Sequence, residues 1–372
     1  METSAATVTR DEAPIGDPEG LDQDPLDLGA FPIDSLMIRT EVRSVFEVVR
    51  RIDSGQYIMD PDFQRDFIWE PARQSKLIES AILRIPLPVF YLAERVDGRI
   101  VVVDGLQRLT TFHRFLKGEF ALSKLAFVKG LDGKRFADLP VNMQNRIEDT
   151  PLTLYLIDAQ VPESAKYEIF DRVNSGVALT RQQMRNCLLL GPATKWLARM
   201  AKEEAFLETT QGGLNSATMR DRECINRFAG FYLYGAGRYE GGMENFLNTT
   251  LRRMNQEETP GFYETLTNKF LHSMAANRRI FGKHAFRKTL SDPSNPWGRS
   301  VINVALFDVF STLLADIPAE TIEAKAGAIN EACAGLLQQA AFDEAISRST
   351  NSVRNVATRF ALAKAALEEA LA

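Results

Sequence analysis

The sequence predicts an α+β protein in which a mixed α/β segment is followed by an all-helical segment. Between residues 89 and 157, short runs of β-branched and aromatic residues alternate with turn residues, a pattern typical of strands. After Pro162, apolar residues recur every three or four positions in one segment after another, with no strand pattern of comparable strength. This change of period predicts two folded domains, 36–160 and 161–372.

The elements of the α/β part follow from their local patterns. The stretch VRSVFEVVRRIDSG (42–55) has helical periodicity and ends at a glycine, whereas 61–69 is predicted to be extended or looped. Pro71 suits the first turn of a helix that ends before the PLP sequence at 86–88. The remaining predicted elements are a strand at 89–94, a turn at 97–98, a strand at 99–104, a helix at 106–117 and a strand at 152–157.

The second part is predicted to contain helices only. Thr180 and Gln183 have the spacing of a capping box, which marks the start of one of these helices. The predicted helices are 163–173, 181–190, 193–207, 220–234, 242–255, 260–281, 299–315, 319–346 and 351–371.

Residues 1–35 are predicted to be a disordered acidic leader. They contain nine acidic residues against one base, Arg10, together with proline and glycine but no apolar period. An acidic segment that occupies a basic groove is the alternative. Without this leader the chain has 43 basic and 40 acidic residues, a net charge of +3. The overall charge of −5 therefore does not exclude a polyanionic partner.

The composition indicates an ordinary globular protein of the cytoplasm. The chain is 45% hydrophobic and 25% charged, without an apolar run of the roughly 18 residues that a membrane span needs, and no membrane role is expected. The N-terminus lacks the pattern of a signal peptide. Cys187, Cys224 and Cys333 lie far apart, so the sequence predicts neither a disulfide framework nor a zinc knuckle.

The candidate functional residues lie where the strand at 99–104 meets the following helix, in the sequence VVVDGLQRLTTF. A helix N-terminus offers unpaired N–H groups and partial positive charge, and Gly105 lacks a Cβ that would hold a ligand away. Arg108 adds a guanidinium fork suited to phosphate, and Gln107 can contact a base, a sugar or a water. Asp104 can cap the helix or bind a metal ion. The alternative is an ordinary N-cap with a solvated arginine.

Three ordered motifs resemble one bacterial family, the GmrSD restriction-endonuclease N-terminal domain family. The motifs are Phe63-Gln64-Arg65 with Trp69, the sequence DGLQR at 104–108 in place of the family's DGQQR, and a segment running from Phe170 to Thr180. Later stretches, including DRECINRF and STNSVRNVATRF, resemble longer family members, so the resemblance spans roughly residues 39–365.

The resemblance implies a core similar to the ParB/sulfiredoxin fold, which uses a G-x-x-R turn to hold nucleotide phosphates. Gly105 and Arg108 fall on those two positions. The implied nucleotide-binding residues are Gln64, Arg65, Gly105, Arg108 and Asn174, the implied catalytic residues Asp104, Gln107 and Arg108, and the implied metal ligand Asp104. The expected cofactors are a nucleoside triphosphate and Mg²⁺.

Leu106 stands where the family has its first glutamine. If the side chain at position 106 contacts the ligand, the leucine is expected to change nucleotide choice or the hydrolysis rate. If it faces the core, the replacement of glutamine by leucine has no effect on function. We predict that it faces the core, because it lies three residues before the apolar Leu109.

Other candidate residues have simpler structural interpretations. Trp69 is predicted to anchor the core rather than to stack on a base, and His113 to be a partly buried helix residue rather than a general base. Asn174 and Gly176 also suit a helix C-cap. The three histidines are scattered, and relatives often carry a C-terminal His-Asn-His nuclease domain that we do not expect here.

Basic clusters in the helical part are either solvated helix faces or a surface for a nucleic-acid backbone. They are Arg220/Arg222/Arg227, Arg252/Arg253, Arg278/Arg279 with Lys283 and Arg287/Lys288, and Arg348/Arg354/Arg359.

Three functions are compatible with the sequence. The first is a module of a phage-defence or restriction-like system that binds and hydrolyses a nucleoside triphosphate, with DNA or a separate nuclease or defence subunit as partner. The second is a Mg²⁺-dependent nuclease that cuts with the α/β domain itself, and the third is a non-catalytic adaptor that senses a nucleotide.

Overall fold

A computed structural model describes residues 18–20, 37–59, 69–162, 165–166, 169, 180–292, 294 and 301–372. It is an α+β structure with a five-stranded sheet and many helices, as the sequence predicts. The chain forms two compact units, Leu26–Leu190 and a second unit of Gly191–Ala372 with Met1–Pro25. Among the described residues, no helix is long and apolar enough to span a bilayer.

The first unit is built on a mixed sheet with the strand order β1-β5-β3-β4-β2. The strands are β1 (Ile38–Ser44), β2 (Tyr57–Ile58), β3 (Phe90–Glu94), β4 (Ile100–Asp104) and β5 (Pro151–Ile157). β1 with β5 and β3 with β4 pair antiparallel, whereas β3 with β5 and β2 with β4 pair parallel.

Both faces of this sheet are covered. One face packs against α1 (Val45–Asp53), α2 (Pro71–Ile82), α3 (Leu106–Leu116) and α4 (Val141–Glu148) in a core that includes Phe90, Leu92 and Phe112. The other face forms a smaller core with α5 (Arg181–Leu188) through Ala93 and Met184. Alternate residues of β3 thus face opposite cores, as strand geometry requires.

The predicted helix at 42–55 was wrong at its start, because residues 38–44 form strand β1. All seven of these residues pair with β5, and Ser44 then caps α1 by accepting a hydrogen bond from Glu47 N. Strand pairing across about a hundred residues therefore overrides the local helical pattern. The second helix, predicted to run up to the PLP sequence at 86–88, ends at Ile82, and Ile85 beyond it is 49% exposed.

The second unit is helical in its described residues. The predicted capping box of the preceding α5 is present, since Thr180 and Gln183 exchange side-chain-to-backbone hydrogen bonds. The helices are α6 (Pro192–Met200), α7 (Glu204–Thr210), α8 (Arg220–Tyr234), α9 (Met243–Asn255), α10 (Phe262–Phe281), α11 (Val304–Leu313), α12 (Ala319–Leu336), α13 (Ala340–Ser347) and α14 (Val353–Leu371).

Two long predicted helices each prove to be two. The segment 193–207 breaks before α7 because Glu203 adopts an extended conformation, and 319–346 breaks before α13 because Gln339 does so. Apolar periodicity continues across both breaks, so the pattern alone did not reveal them.

The compact units divide the chain after Leu190, whereas the sequence predicts a domain boundary after residue 160. The observed boundary lies later than residue 160 because α5 packs against β4 and so belongs to the first unit. Two residues of the predicted leader also have a defined place. Glu19 N donates to Ile302 O, Val304 N donates to Glu19 O, and Thr350 Oγ1 donates to Gly20 O.

The centre of the helical unit contains one buried aspartate between two buried arginines. Asp308 accepts from Arg227 Nε and Nη2 at 2.8 and 2.6 Å, and from Arg359 Nη2 at 2.8 Å. All three side chains are at most 1% exposed. Burial lowers the pKa of Arg359 to about 10, although Asp308 opposes that shift. Asp308 therefore compensates two charges that are removed from water.

We expect Asp308→Asn to destabilise the protein by roughly 3–5 kcal/mol, because it leaves two buried guanidinium groups without a counter-charge. Chemical denaturation monitored by circular dichroism measures this change. Asp316→Asn is the matched control: Asp316 forms an exposed ion pair with Lys269, and its loss should change stability by about 0–1 kcal/mol. Equal effects of the two variants would contradict the role given to Asp308.

Candidate functional site

The candidate site is the junction between β4 and α3. β4 ends at Asp104, α3 begins at Leu106, and Gly105 between them has φ 97° and ψ 7° in the left-handed region. Asp104 pairs with Tyr91 while Val102 pairs with Leu92, so β4 has a bulge one residue before the turn. Bulges and left-handed glycines change the chain direction sharply, which allows a helix to follow the strand at once.

Gly105 is required by packing as well as by its backbone angle. A Cβ on this residue would lie 2.3 Å from Cδ1 of the buried Phe90 and 3.2 Å from Nη2 of Arg108. The expected reason for this glycine was close approach of a ligand. The structure shows that an aromatic ring and a guanidinium also lie close to this residue.

Arg108 holds the first turn of α3 against the strands. Nη1 donates to Pro88 O, and Nη2 donates to Val89 O at 3.0 Å and to Asp104 Oδ2 at 2.8 Å. The guanidinium carbon lies 4.2 Å from the centroid of the Phe90 ring, a cation–π contact. The residue is 9% exposed, and burial lowers its pKa while Asp104 opposes the shift.

Two N–H donors of Arg108 remain available to a ligand. A guanidinium has five N–H donors, and the contacts to Pro88, Val89 and Asp104 use three of them. No residue within the described ranges accepts from Nε or from the second hydrogen of Nη1. Arg108 can thus act as a rigidly held donor, with its orientation fixed before any ligand arrives.

Asp104 is accessible to solvent, with its side chain 38% exposed. Oδ2 accepts from Arg108, and no described residue donates to Oδ1. No group of three or more histidine, cysteine, aspartate or glutamate residues in the described parts of the chain is arranged to hold a metal ion. A cation here would rely on Asp104 and on oxygens of its own ligand.

Gln107 connects the site to the segment before α2. Its Oε1 accepts from Trp69 N at 3.1 Å, while Gln74 Nε2 donates to Trp69 O. Trp69 packs against the main core, as predicted, and Arg73 lies 4.3 Å above its ring. Gln107 therefore positions the chain where the segment 60–68 ends.

Leu106 is 8% exposed and belongs to the main core, as predicted from its spacing to Leu109. A glutamine at this position would place an amide among apolar side chains. The substitution that separates this chain from the family motif is therefore a packing change.

Some predicted residues lie elsewhere or beyond the described part of the chain. His113 pairs with Asp53 Oδ1 at 3.0 Å on the surface between α1 and α3, which agrees with its simpler interpretation. Gln64, Arg65, Asn174 and Gly176 lie outside the described residues.

The contacts of Phe90 and of the carbonyls of Pro88 and Val89 were not predicted. Phe90 has the same sequence signal as any other aromatic residue of a buried strand, and carbonyl partners carry no sequence signal.

The basic clusters are only partly on the surface. Arg222, Arg227, Arg287 and Arg359 are buried. On the surface, Arg278 forms an ion pair with Glu208, and Arg279 forms one with Glu323. These contacts reduce the positive charge that the helical unit presents to a nucleic-acid backbone.

The junction defines the class of the first unit. It is a mixed-sheet α/β domain in which strand β4 passes through a left-handed glycine into a helix with an arginine in its first turn. Residues 45–190 match the family model described as the GmrSD restriction endonuclease, N-terminal domain. The match confirms, over those residues, the family that the three motifs predict. No curated protein matches the chain.

We expect Gly105→Ala to destabilise the protein by roughly 2–5 kcal/mol, because a left-handed alanine costs roughly 1–2 kcal/mol and overpacking against Phe90 roughly 1–3 kcal/mol. Gly118→Ala is the matched control, since Gly118 also has positive φ but has nothing within 4 Å of its Cβ position. Urea denaturation compares the two variants. Equal destabilisation would show that packing against Phe90 does not constrain residue 105.

Proposed function

We propose that the first unit binds a nucleoside triphosphate and hydrolyses it as part of a restriction-like or phage-defence system. The match to a restriction-endonuclease N-terminal domain indicates a role related to restriction or phage defence. Nucleotide turnover would then control action on DNA, either directly or through a separate nuclease or defence subunit.

The observation that carries this proposal is the fixed guanidinium of Arg108 at the start of α3. Phosphate oxygens accept strongly from guanidinium N–H groups, and the backbone N–H groups of a helix N-terminus add positive potential. Because the guanidinium is already held by Pro88, Val89 and Asp104, a phosphate would meet a donor that loses little further freedom on binding. Gln64, Arg65 and Asn174 would complete the pocket, as the family resemblance implies.

Asp104 suits a Mg²⁺ ion that arrives with the nucleotide. Mg²⁺ is usually bound by one or two carboxylates together with phosphate oxygens and water, so a single exposed carboxylate fits this use. When bound, the ion would neutralise phosphate charge. Asp104 would hold it through the oxygen that Arg108 does not use.

One observation favours a second candidate, a nucleotide-sensing adaptor without turnover. Gln107, the glutamine that the motif retains, already accepts a hydrogen bond from Trp69 N. A glutamine held by this hydrogen bond would respond to the position of the segment before α2 and would not align a water. A nuclease in the α/β domain has no comparable support, because the buried Glu79 accepts from the amides of 126–128 and Asp104 pairs with Arg108.

Nucleotide binding is tested with Arg108→Lys, which keeps the positive charge but loses the fork. We expect this variant to bind its nucleotide roughly 10- to 100-fold more weakly, since a charged hydrogen bond contributes roughly 1.5–3 kcal/mol. A thermal-shift screen of the common nucleoside triphosphates with Mg²⁺ selects the nucleotide, and calorimetry measures the dissociation constants. Circular dichroism checks that the variant is folded.

The matched control is Arg114→Lys on the same helix, whose guanidinium pairs with Glu119 at the surface. It should bind as the wild type does. Wild-type protein without affinity for any nucleoside triphosphate, or a folded Arg108→Lys variant with unchanged affinity, would reject the proposed site.

Turnover separates the enzyme from the adaptor. We expect wild-type protein to release phosphate from the selected nucleotide, and Asp104→Asn to reduce the rate at least about 10-fold because it weakens the contact to Mg²⁺. Steady-state phosphate release under saturating nucleotide measures this. Tight binding with no release from wild type would select the adaptor instead.

A further inference from the structure

Strand β1 is the long edge of the sheet in the first unit. All seven of its residues, Ile38–Ser44, pair with β5 on one side and without a shift of register. No other strand of the described chain pairs with β1 on its other side. The opposite edge of the sheet, β2, has only two residues. β1 is therefore the edge at which this sheet can be extended.

The hydrogen bonds at the two ends of β1 show how its backbone is oriented. Asp158 N donates to Met37 O, and Val45 N donates to Thr150 O, so the residue pairs at 37 and 45 are hydrogen-bonded pairs. Hydrogen-bonded and non-hydrogen-bonded pairs alternate along an antiparallel ladder. The odd-numbered residues of β1 therefore form the hydrogen bonds to β5.

The even-numbered residues direct their backbone N–H and C=O groups away from β5. Ser44 lies opposite Pro151, as this assignment requires, because proline has no N–H to donate. The outward groups of Ile38, Thr40 and Val42 form no hydrogen bond to any residue of the described ranges. Three successive outward residues thus offer both a donor and an acceptor to another strand.

The side chains of these three residues are also accessible. Ile38 is 43% exposed, Val42 is 66% exposed, and Thr40 between them is exposed as well. Edge strands are commonly protected from pairing by a proline, a lysine, a bulge or a covering segment. β1 contains no proline or lysine, and its pairing with β5 has no bulge. The strand therefore lacks the usual barriers to pairing with another strand.

The sequence of β1 is self-complementary when two copies pair antiparallel about Thr40. Ile38 of one copy then lies opposite Val42 of the other, so the two exposed apolar side chains are neighbours. The outward backbone groups of 38, 40 and 42 meet the same groups of the other copy. Each of these residue pairs can exchange two N–H···O hydrogen bonds.

Charge selects this register over its neighbours. Pairing about Thr40 places Arg39 opposite Glu41, whereas pairing about Arg39 or about Glu41 places like charges directly opposite each other, which is destabilising. Within one copy, Arg39 is already paired with Glu94 and Glu41 with Arg43. The contacts between copies would extend these existing ion pairs, and the attraction comes from the backbone hydrogen bonds and the apolar pair.

A register about Val42 is less favourable for a different reason. It would bring Ser44 into the strand pair, although the Ser44 side chain caps α1 by accepting from Glu47 N. It would also place Ile38 opposite Phe46, which lies in α1 and not in a strand. The register about Thr40 uses only residues of β1.

We propose that two copies of this chain associate through β1, antiparallel about Thr40, and join the five strands of each copy into one continuous sheet. The interface is isologous, because the same residues contribute from both copies, and it uses the long edge of both sheets. Association therefore closes at the dimer. This interface contains no residue of the sequence 104–108 and does not depend on nucleotide binding.

Thr40→Lys tests the pairing, because it places two positive charges opposite each other and leaves the hydrogen bonds between β1 and β5 intact. We expect the wild-type chain at high micromolar concentration to have twice its mass of 41.6 kDa. Thr40→Lys should raise the dissociation constant of the dimer at least about 10-fold, since like charges directly opposite are destabilising. Sedimentation equilibrium measures both, and circular dichroism checks that the variant is folded.

The matched control is Val141→Lys, which adds the same charge at an exposed residue of α4 and should associate as the wild type does. The proposal is overturned if the wild type remains a monomer at high micromolar concentration, as it would if β1 accepts only a strand of another protein. It is also overturned if the folded Thr40→Lys variant associates like the wild type.

Cross-linking tests the register. The three native cysteines are buried, so a cysteine introduced on β1 is the accessible one. In the proposed dimer the Cα atoms of two Thr40→Cys residues lie roughly 5.5 Å apart, whereas those of two Val42→Cys residues lie roughly 14 Å apart. We expect a short bismaleimide to link Thr40→Cys into a covalent dimer at least about 10-fold faster than Val42→Cys or Val141→Cys. Equal rates for the three variants would reject the pairing about Thr40.

Discussion

The contact of Arg108 with Asp104, two backbone carbonyls and the Phe90 ring is the constraint on which the first unit depends. It joins the start of α3 to the end of β4 and to the chain that enters β3. Because Gly105 has no Cβ, the aromatic ring can lie directly against the turn. One arginine therefore fixes the direction of a helix relative to two strands. Any ligand site at this turn would be lined by groups whose positions are already fixed.

The same contact explains why a structural and a functional role for Arg108 are compatible. Hydrogen bonds to carbonyls leave the charge of the guanidinium intact, and burial makes that charge more effective toward an anion by lowering the local dielectric constant. The single carboxylate partner, Asp104, is half-exposed. A ligand that competes for Asp104 would weaken the ion pair between Arg108 and Asp104, which helps to fix the position of α3. Ligand binding at this carboxylate would therefore be coupled to the position of the helix.

The helical unit handles buried charge differently. Asp308 compensates Arg227 and Arg359 in a closed network with 0–1% exposure, which gives the network no access to a ligand. At the start of α3, by contrast, Arg108 is paired with Asp104, whose side chain is 38% exposed. The two units therefore differ in how accessible the carboxylate partner of a buried arginine is.

Local sequence determined much of this protein. The hairpin of β3 and β4, the start of α3 at Leu106 and the bounds of α8 follow from turn residues and apolar period, because those signals act within a few residues. The burial of Leu106 and the packing of Trp69 follow from the same patterns, and ordered motifs indicated the family that residues 45–190 match.

Only the tertiary structure decided that residues 38–44 form a strand, that Phe90 fills the space beside Gly105, and that four arginines of the basic clusters are buried. Each of these depends on partners far away in sequence, and a periodic pattern carries no information about which distant residue will pack against it.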